Sequence, residues 1–202
     1  MKQPLFYLIG FNKNYTGGFS LEASIFQRFS FTGDDFKPSE HKKKIFNKLV
    51  LICEQTLKEH KLKNDISIEY WENEQGAILH SKNITTLICD FFKSQESYGQ
   101  AGQLILDQYI FEDFERNNIE SFSYQQRLSF LLGVFDSNGN DNTISFYNDY
   151  QKCILTHYTL KCFGDENDEI VMKSYFKTPF SDHITINKNG GIWRLLKSKM
   201  NA

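Results

Sequence analysis

An α+β fold is predicted for this chain, with an N-terminal β-hairpin, central helices and a C-terminal antiparallel β-meander. Two patterns predict it. Segments of alternating apolar and polar residues occupy both ends of the chain, whereas apolar residues at helical spacing dominate its middle. The 202 residues, which include 19 Phe and 10 Tyr, suffice for one domain with an aromatic-rich core. We therefore expect a single domain over residues 1–202, with possible sub-lobes at 1–120 and 121–202.

The N-terminal hairpin is predicted from two apolar segments. Residues 5–11 are apolar on both faces, which is typical of a central strand. A loop containing Gly17 and Gly18 follows, and residues 23–31 then alternate between apolar and polar side chains. We expect the two segments to pair as adjacent strands.

The central part of the chain is predicted to combine helices with short strands. A helix begins near Ser39 and has an apolar stripe made of Ile45, Leu49, Ile52, Cys53 and Leu57. Strands at residues 66–71 and 77–80, a helix capped by Asn83 and a further helix at 104–114 follow it. The helix that begins near Ser39 also carries the lysines Lys42, Lys43, Lys44, Lys48 and Lys58, mostly off its stripe. A phosphate-contacting patch is one interpretation, but a solvated helix face is favoured because no wider basic stripe accompanies it.

A capping box introduces the next helix. Ser123 is followed three residues later by Gln126, and apolar residues at helical spacing continue to Phe135. Beyond this helix, alternation predicts the strands of the meander at residues 143–147, 153–162, 170–176 and 183–186. Residues 192–195 fit either a last strand or a terminal helix, and no internal repeat is apparent.

The composition narrows the classes of partner and compartment. There are 25 acidic and 23 basic residues, giving a net charge of −2, so nucleic acid is not the expected partner. The four cysteines form no CxxC pair and are expected to be free. No apolar segment approaches the ~20 residues that a membrane span needs, and a cytoplasmic location is expected.

The most motif-like segment is residues 131–139, which read LLGVFDSNG. Asp, Ser, Asn and Gly are residues that end helices and form turns, so a helix that stops at a turn is the preferred interpretation. The segment also resembles the LAGLIDADG signature of homing endonucleases, with matches at Leu131, Gly133, Asp136 and Gly139. That resemblance implies a helix at a domain interface that ends in an acidic metal ligand. The ligand position is Asn138, however, and an amide is a poor substitute for a carboxylate on Mg²⁺.

Other arrangements for chemistry are weaker. An EF-hand loop from Asp136 fails because the residue at its twelfth position is Tyr147 and not glutamate. No HExxH, P-loop, GxGxxG or GxSxG motif occurs. A metal site assembled from distant residues, such as His80, His157 and Cys153, stays open. We accordingly predict no catalytic, cofactor-binding or metal-binding residue and no cofactor.

The acidic loop is the one feature that favours a partner. Asp165, Glu166, Asp168 and Glu169 concentrate negative charge and are predicted to bind a basic protein, for instance a toxin domain. The leading hypothesis is therefore a non-catalytic inhibitory protein, most concretely a bacterial immunity protein that neutralises a toxin. The alternatives are a degenerate LAGLIDADG-like DNA-binding homodimer, dimeric because only one motif copy is seen, and an enzyme such as a nuclease or hydrolase with a dispersed site.

Overall fold

The computed structural model describes residues 2–11, 19–20, 25–32, 37–91, 97–98, 103–105, 121–147, 150–164, 168–175 and 181–200. Its helices are α1 (Pro4–Phe11), α2 (Glu40–Glu59), α3 (Lys82–Phe91), α4 (Tyr124–Asn138), α5 (Tyr150–Lys161) and α6 (Gly191–Met200). Its strands are β1 (Phe19–Ser20), β2 (Ile25–Ser30), β3 (Ser67–Tyr70), β4 (Gly76–His80), β5 (Ser97–Tyr98), β6 (Gln103–Ile105), β7 (Gly139–Asn140), β8 (Thr143–Tyr147), β9 (Ile170–Tyr175) and β10 (Ser181–Ile186). The predicted α+β class is confirmed. Within the described ranges, no helix has the length and apolarity to cross a membrane.

The order of elements repeats along the chain. A helix, two strands, a helix, two strands and a helix run from α1 to α3, and the same series runs from α4 to α6. The strand orders also match, since β2-β4-β3 in the first sheet corresponds to β8-β10-β9 in the second. The expectation of no internal repeat is therefore wrong. The described elements form two copies of one αββαββα series, in which β7 pairs with β8 but β1 pairs with β6 in a separate three-stranded sheet with β5.

Both sheets of this repeat are antiparallel. In the first, Arg28 of β2 lies opposite Ile78 of β4, which lies opposite Glu69 of β3. In the second, His183 of β10 lies between Ser145 of β8 and Lys173 of β9. The C-terminal strands β8, β9 and β10 form the predicted meander-like sheet, to which the short β7 adds at the edge.

The first predicted strand is instead helix α1, so the N-terminal hairpin between residues 5–11 and 23–31 does not form. The helix is buried on nearly all sides, from Phe6 to Phe11. A segment that is apolar all round carries neither the helical stripe nor the alternation that would distinguish helix from strand. The second half of the predicted hairpin, β2, is a strand as expected but pairs with β4.

A second strand prediction fails at residues 153–162, which belong to helix α5 and the turn after it. The buried residues there include two threonines, Thr156 and Thr159. Thr159 satisfies its own hydroxyl by donating to the carbonyl of Leu155 at 2.7 Å, one helical turn earlier. Because threonine is polar and β-branched, its burial in a helix imitates the alternation of a strand.

Several other predictions can be compared with the described residues. Ser39 caps α2, and the Ser123–Gln126 capping box of α4 has both of its hydrogen bonds. Helix α3 begins one residue before Asn83, and the hydroxyl of Ser81 accepts from the Ile84 N–H at its start. Residues 192–195 are helical, within α6. Residues 104 and 105, predicted as helix, lie in β6, and the rest of that prediction lies outside the described residues.

The two units meet through α1 and α4, which form the most extensive contact between any two described elements. A Cβ placed on Gly133 would lie 2.1 Å from the carbonyl oxygen of Tyr7, and a Cβ placed on Gly10 would lie 2.1 Å from that of Phe130. Each carbonyl precedes its own helix's glycine by three residues, so the contact is reciprocal. The absent side chains let the two helix backbones touch, which only glycine permits at this distance.

This packing predicts that alanine is not tolerated at either glycine. Gly10→Ala and Gly133→Ala should each lower the free energy of unfolding by at least about 3 kcal/mol, because backbone atoms cannot move aside as side chains do. Chemical denaturation followed by circular dichroism measures this loss.

Gly191→Ala is the matched control, since its nearest neighbour would lie at an ordinary 3.5 Å. Glycine-to-alanine variants that all resemble this control would contradict the described helix contact.

Candidate functional site

The motif-like segment lies at the end of α4, where the preferred interpretation of a helix that stops at a turn is confirmed. The helix ends at Asn138, and Gly139 follows as its C-cap. Gly139 and Asn140 then pair with β8 across a turn in which Asp141 has a φ of 50°. Asp136 therefore lies in the last helical turn and not in the connection to the strand.

Asp136 is the centre of a cluster that joins three helices. Its Oδ2 accepts a hydrogen bond from the Tyr7 hydroxyl of α1 at 2.6 Å and one from Lys48 Nζ of α2 at 2.7 Å. The Lys48 ammonium also lies 5.3 Å from the centroid of the Tyr7 ring. Because the carboxylate is only 7% exposed, its charge is neutralised by a lysine and not by solvent.

Tyr7 is held in its protonated form by this cluster. Burial raises the pKa of its hydroxyl above the ordinary value, and the neighbouring Asp136 carboxylate raises this pKa further. The hydroxyl therefore remains a hydrogen-bond donor to Asp136. This cluster could not be predicted from the sequence beyond the position of Lys48 in a lysine-rich helix, because the three residues are far apart in the chain.

The side chain of Asn138, the residue at the metal-ligand position of the motif, is hydrogen-bonded within the protein. Its amide nitrogen donates to the carbonyl of Ser145 at 2.9 Å, and its amide oxygen accepts a short hydrogen bond from the Ser137 hydroxyl. Five residues after Gly10, the corresponding residue of the first unit is Tyr15. Neither residue type supplies the carboxylate that Mg²⁺ or Ca²⁺ usually takes, so the chain does not fit the metal site that the motif resemblance implies.

No other metal site appears in the described ranges, where no three His, Cys, Asp or Glu residues are grouped closely enough to hold an ion. The distant trio considered from the sequence is not assembled. His80 bonds Glu69 at 3.3 Å on the first sheet, whereas Cys153 is buried in α5. Burial lowers the pKa of His157 on that same helix, with a further contribution from Lys161.

A cleft of about 670 Å³ opens beside the end of α4. Its wall includes four basic side chains, Arg28, His41, Lys42 and Lys197, and two acidic ones, Asp136 and Asp141. Both acids are already paired, Asp136 with Lys48 and Asp141 with Lys188. The cleft therefore presents an excess of positive charge although the whole chain is slightly acidic.

Each sheet has one face that contributes to the core and one open face, although β3 at the edge of the first sheet is exposed on both. On the first sheet the open face carries Ser67, Glu69, Ile78, His80 and Arg28. On the second it carries Thr143, Ser145, His183, Thr185, Val171 and Lys173. The opposite faces hold the core residues Phe29, Leu79, Ala77, Ile144, Phe146, Ile184 and Ile186. The open faces are therefore largely polar. Both faces contribute to the wall of the cleft, the first through Arg28 and the second through Ser145.

The predicted acidic docking loop is only partly within the described residues, which exclude Asp165 and Glu166. The Asp168 carboxylate accepts from the Ile192 N–H at 3.3 Å, in the first turn of α6, and thereby caps that helix. Glu169 is exposed, and its carbonyl accepts from the Asn187 N–H. Asp168 thus has a structural role, and partner binding by the others stays a prediction.

Comparison with solved structures identifies the fold. A variant of I-DmoI, a LAGLIDADG homing endonuclease, in complex with its target DNA nicked in the coding strand, superimposes with a TM-score of 0.53 at 10% identity, covering 98% of this chain and 96% of that one. I-DmoI in complex with DNA and manganese gives a TM-score of 0.53 at 11% identity, covering 98% of this chain and 97% of that one. The chain has the fold of I-DmoI. No family model and no curated protein matches the sequence.

These neighbours correct the leading hypothesis. A toxin-neutralising immunity protein is the wrong interpretation, and so is a protein partner such as a basic toxin domain in place of nucleic acid. The fold is that of a nuclease crystallised with its target DNA. The alternative of a LAGLIDADG-like protein fits better, although the motif helix pairs within the chain. The surface around Gly133 that a homodimer would use is occupied by α1.

The Asp136 cluster predicts a strong and coupled effect on stability. Asp136→Ala should lower the free energy of unfolding by about 2–4 kcal/mol, because it leaves the Lys48 ammonium and the Tyr7 hydroxyl without their acceptor. Adding Lys48→Met to that variant should lower the free energy of unfolding by less than Lys48→Met does in the unaltered protein. A double-mutant cycle measured by urea denaturation tests this difference.

The exposed pair of Asp141 and Lys188 provides the control. Both side chains are more than half exposed, so removing either should change the free energy of unfolding by less than about 1 kcal/mol. Equal effects at the two pairs would show that Asp136 is not the buried junction described above.

Proposed function

We propose that this protein binds double-stranded DNA as a single chain and does not cleave it at the motif helices. The observation that supports this most directly is the pair of open, polar sheet faces on either side of the α1–α4 contact, in a fold whose solved neighbours are DNA complexes. Sheet strands enter DNA grooves in several protein classes, where their polar side chains contact base edges and phosphates.

The composition of the open faces suits this role. Serine, threonine and histidine side chains both donate and accept hydrogen bonds, and Arg28 and Lys173 supply positive charge for phosphates. The net charge of −2 argued against nucleic acid only as an average over the whole chain. Binding depends on the local field, and the carboxylates of Asp136 and Asp141 are held in ion pairs while that of Asp168 caps a helix.

The absence of cleavage is proposed from the residues at the motif ends. Metal-dependent hydrolysis of a phosphodiester needs a cation that activates the attacking water and stabilises the leaving oxygen. Asn138 and Tyr15 replace the acids that would hold such cations, and the Asn138 amide is engaged with Ser137 and Ser145. A protein that binds DNA would act in the compartment that contains it, and the cytoplasmic location expected from the sequence is retained as part of this proposal.

Titration of a fluorescent duplex tests the proposal. Binding should be detectable by anisotropy in EDTA, should weaken as salt is raised, and should leave the duplex intact when Mg²⁺ or Mn²⁺ is added. Lys173→Gln should weaken binding and reduce the slope of log affinity against log salt by about 1, as expected for the loss of one phosphate contact.

Lys161→Gln is the matched control because Lys161 is an exposed lysine at the end of α5, outside the open sheet faces. An unaltered duplex affinity in Lys173→Gln would remove the second sheet from the DNA surface. No duplex binding at any salt concentration would refute the proposal as a whole.

A further inference from the structure

We infer that the cleft beside α4 is a metal-independent phosphate site, in which Arg28, Lys42 and Lys197 hold a backbone phosphate of the bound duplex. The inference rests on the proposed DNA binding and assigns it a specific anchor. The basic side chains would neutralise the charge of the DNA phosphate directly. In a site lined by carboxylates, a bound divalent cation would do so.

The charges on the cleft wall support an anion as the ligand. Arg28 of β2, Lys42 of α2 and Lys197 of α6 come from three separate elements and meet at one cavity, together with His41. The two carboxylates on the wall do not compensate them, because each already bonds a lysine from outside the wall. The resulting field favours a group of one or two negative charges.

The location of the cleft supports a phosphate that belongs to DNA. Arg28 and Ser30 come from the open face of the first sheet, and Ser145 comes from that of the second. A duplex lying across both faces would therefore pass its backbone over the cleft. The guanidinium of Arg28 can bind two phosphate oxygens at once, and the two lysines act as point charges.

The residues at the end of α4 do not favour a metal ion in the same cleft. Asn138 also lines the cleft, but its amide oxygen accepts from Ser137 and its nitrogen donates to Ser145. Asp136 bonds Lys48 and Tyr7 through the same oxygen. Because the Asn138 oxygen is engaged and the Asp136 carboxylate already holds the Lys48 ammonium, a divalent cation would meet the repulsion of nearby lysines at this wall, whereas a phosphate would not.

The experiment compares matched lysines on the same helices. The variants Lys42→Gln and Lys197→Gln each remove a lysine that lines the cleft. The control variants Lys44→Gln and Lys199→Gln each remove an exposed lysine two residues further along, outside the cleft lining. Each variant is first checked for an unchanged thermal transition. Its affinity for a fluorescent duplex is then measured in EDTA over a range of salt concentrations.

The inference predicts that each cleft variant loses roughly five- to tenfold in duplex affinity and about 1 in salt slope, while the two control variants bind like the unaltered protein. Arg28→Gln should lose at least as much because of its bidentate geometry.

The outcomes separate this inference from the proposed function. Duplex binding that is equal in cleft and control variants would overturn the phosphate site and leave DNA binding in place. Binding that appears only with Mg²⁺ or Mn²⁺ would also overturn it, because a cation would then be required. A protein that binds no duplex at all would instead refute the proposed function on which it rests.

Discussion

The approach of two helix backbones at Gly10 and Gly133 is the constraint on which the rest of the structure depends. A helix pair normally keeps its axes 8–10 Å apart because side chains lie between them. Here each glycine lets the partner helix bring a carbonyl oxygen into the space of a missing Cβ. The contact fixes α1 against α4, and since each helix begins one αββαββα unit, it also fixes one sheet beside the other.

This helix contact determines where charged groups can gather. Tyr7 lies on α1 at the contact, Asp136 lies in the last turn of α4, and Lys48 reaches both from α2. Such a buried carboxylate is costly unless it is paired, and the pairing in turn ties α2 to the helix contact. In the resembled motif an acid at the end of the helix serves a metal. In this chain Asp136 bonds Lys48 and Tyr7. Asn138, at the metal-ligand position of the motif, bonds the neighbouring strand β8. The proposed role in DNA binding without cleavage follows from that difference.

The sequence was sufficient for the α+β class, for the amphipathic α2, for the Ser123 capping box and for most of the C-terminal strands. In these segments the spacing of apolar residues in the sequence matches the spacing of buried positions in the structure. The sequence was insufficient at α1, which is buried on nearly all sides, and at α5, where Thr156 and Thr159 are buried and the Thr159 hydroxyl bonds the carbonyl of Leu155. Missing α1 concealed the repeat as well. The shared segments Leu8–Gly10 and Leu131–Gly133, each two apolar residues and a glycine, were its one visible trace.

The candidate site was harder to predict than the fold because its parts are distant in the chain. The spacing of LLGVFDSNG pointed to α4, and Asn138 places a neutral amide at the position where the resembled motif has a metal-binding acid. Nothing in the sequence indicated that Tyr7 and Lys48 would meet Asp136, or that Arg28, Lys42 and Lys197 would line one cleft. Net charge was misleading for a physical reason, since pairing and placement decide the local field and an average over all residues does not record them.

The central claim is that one chain, through its paired units, forms a single DNA-binding surface. Selection of duplexes from a randomised pool in EDTA, followed by sedimentation of the selected complex, tests it most directly. The account predicts that duplexes are recovered from the pool and that each duplex carries one protein chain. Recovery of no duplex, or a complex with two chains on each duplex, would contradict it.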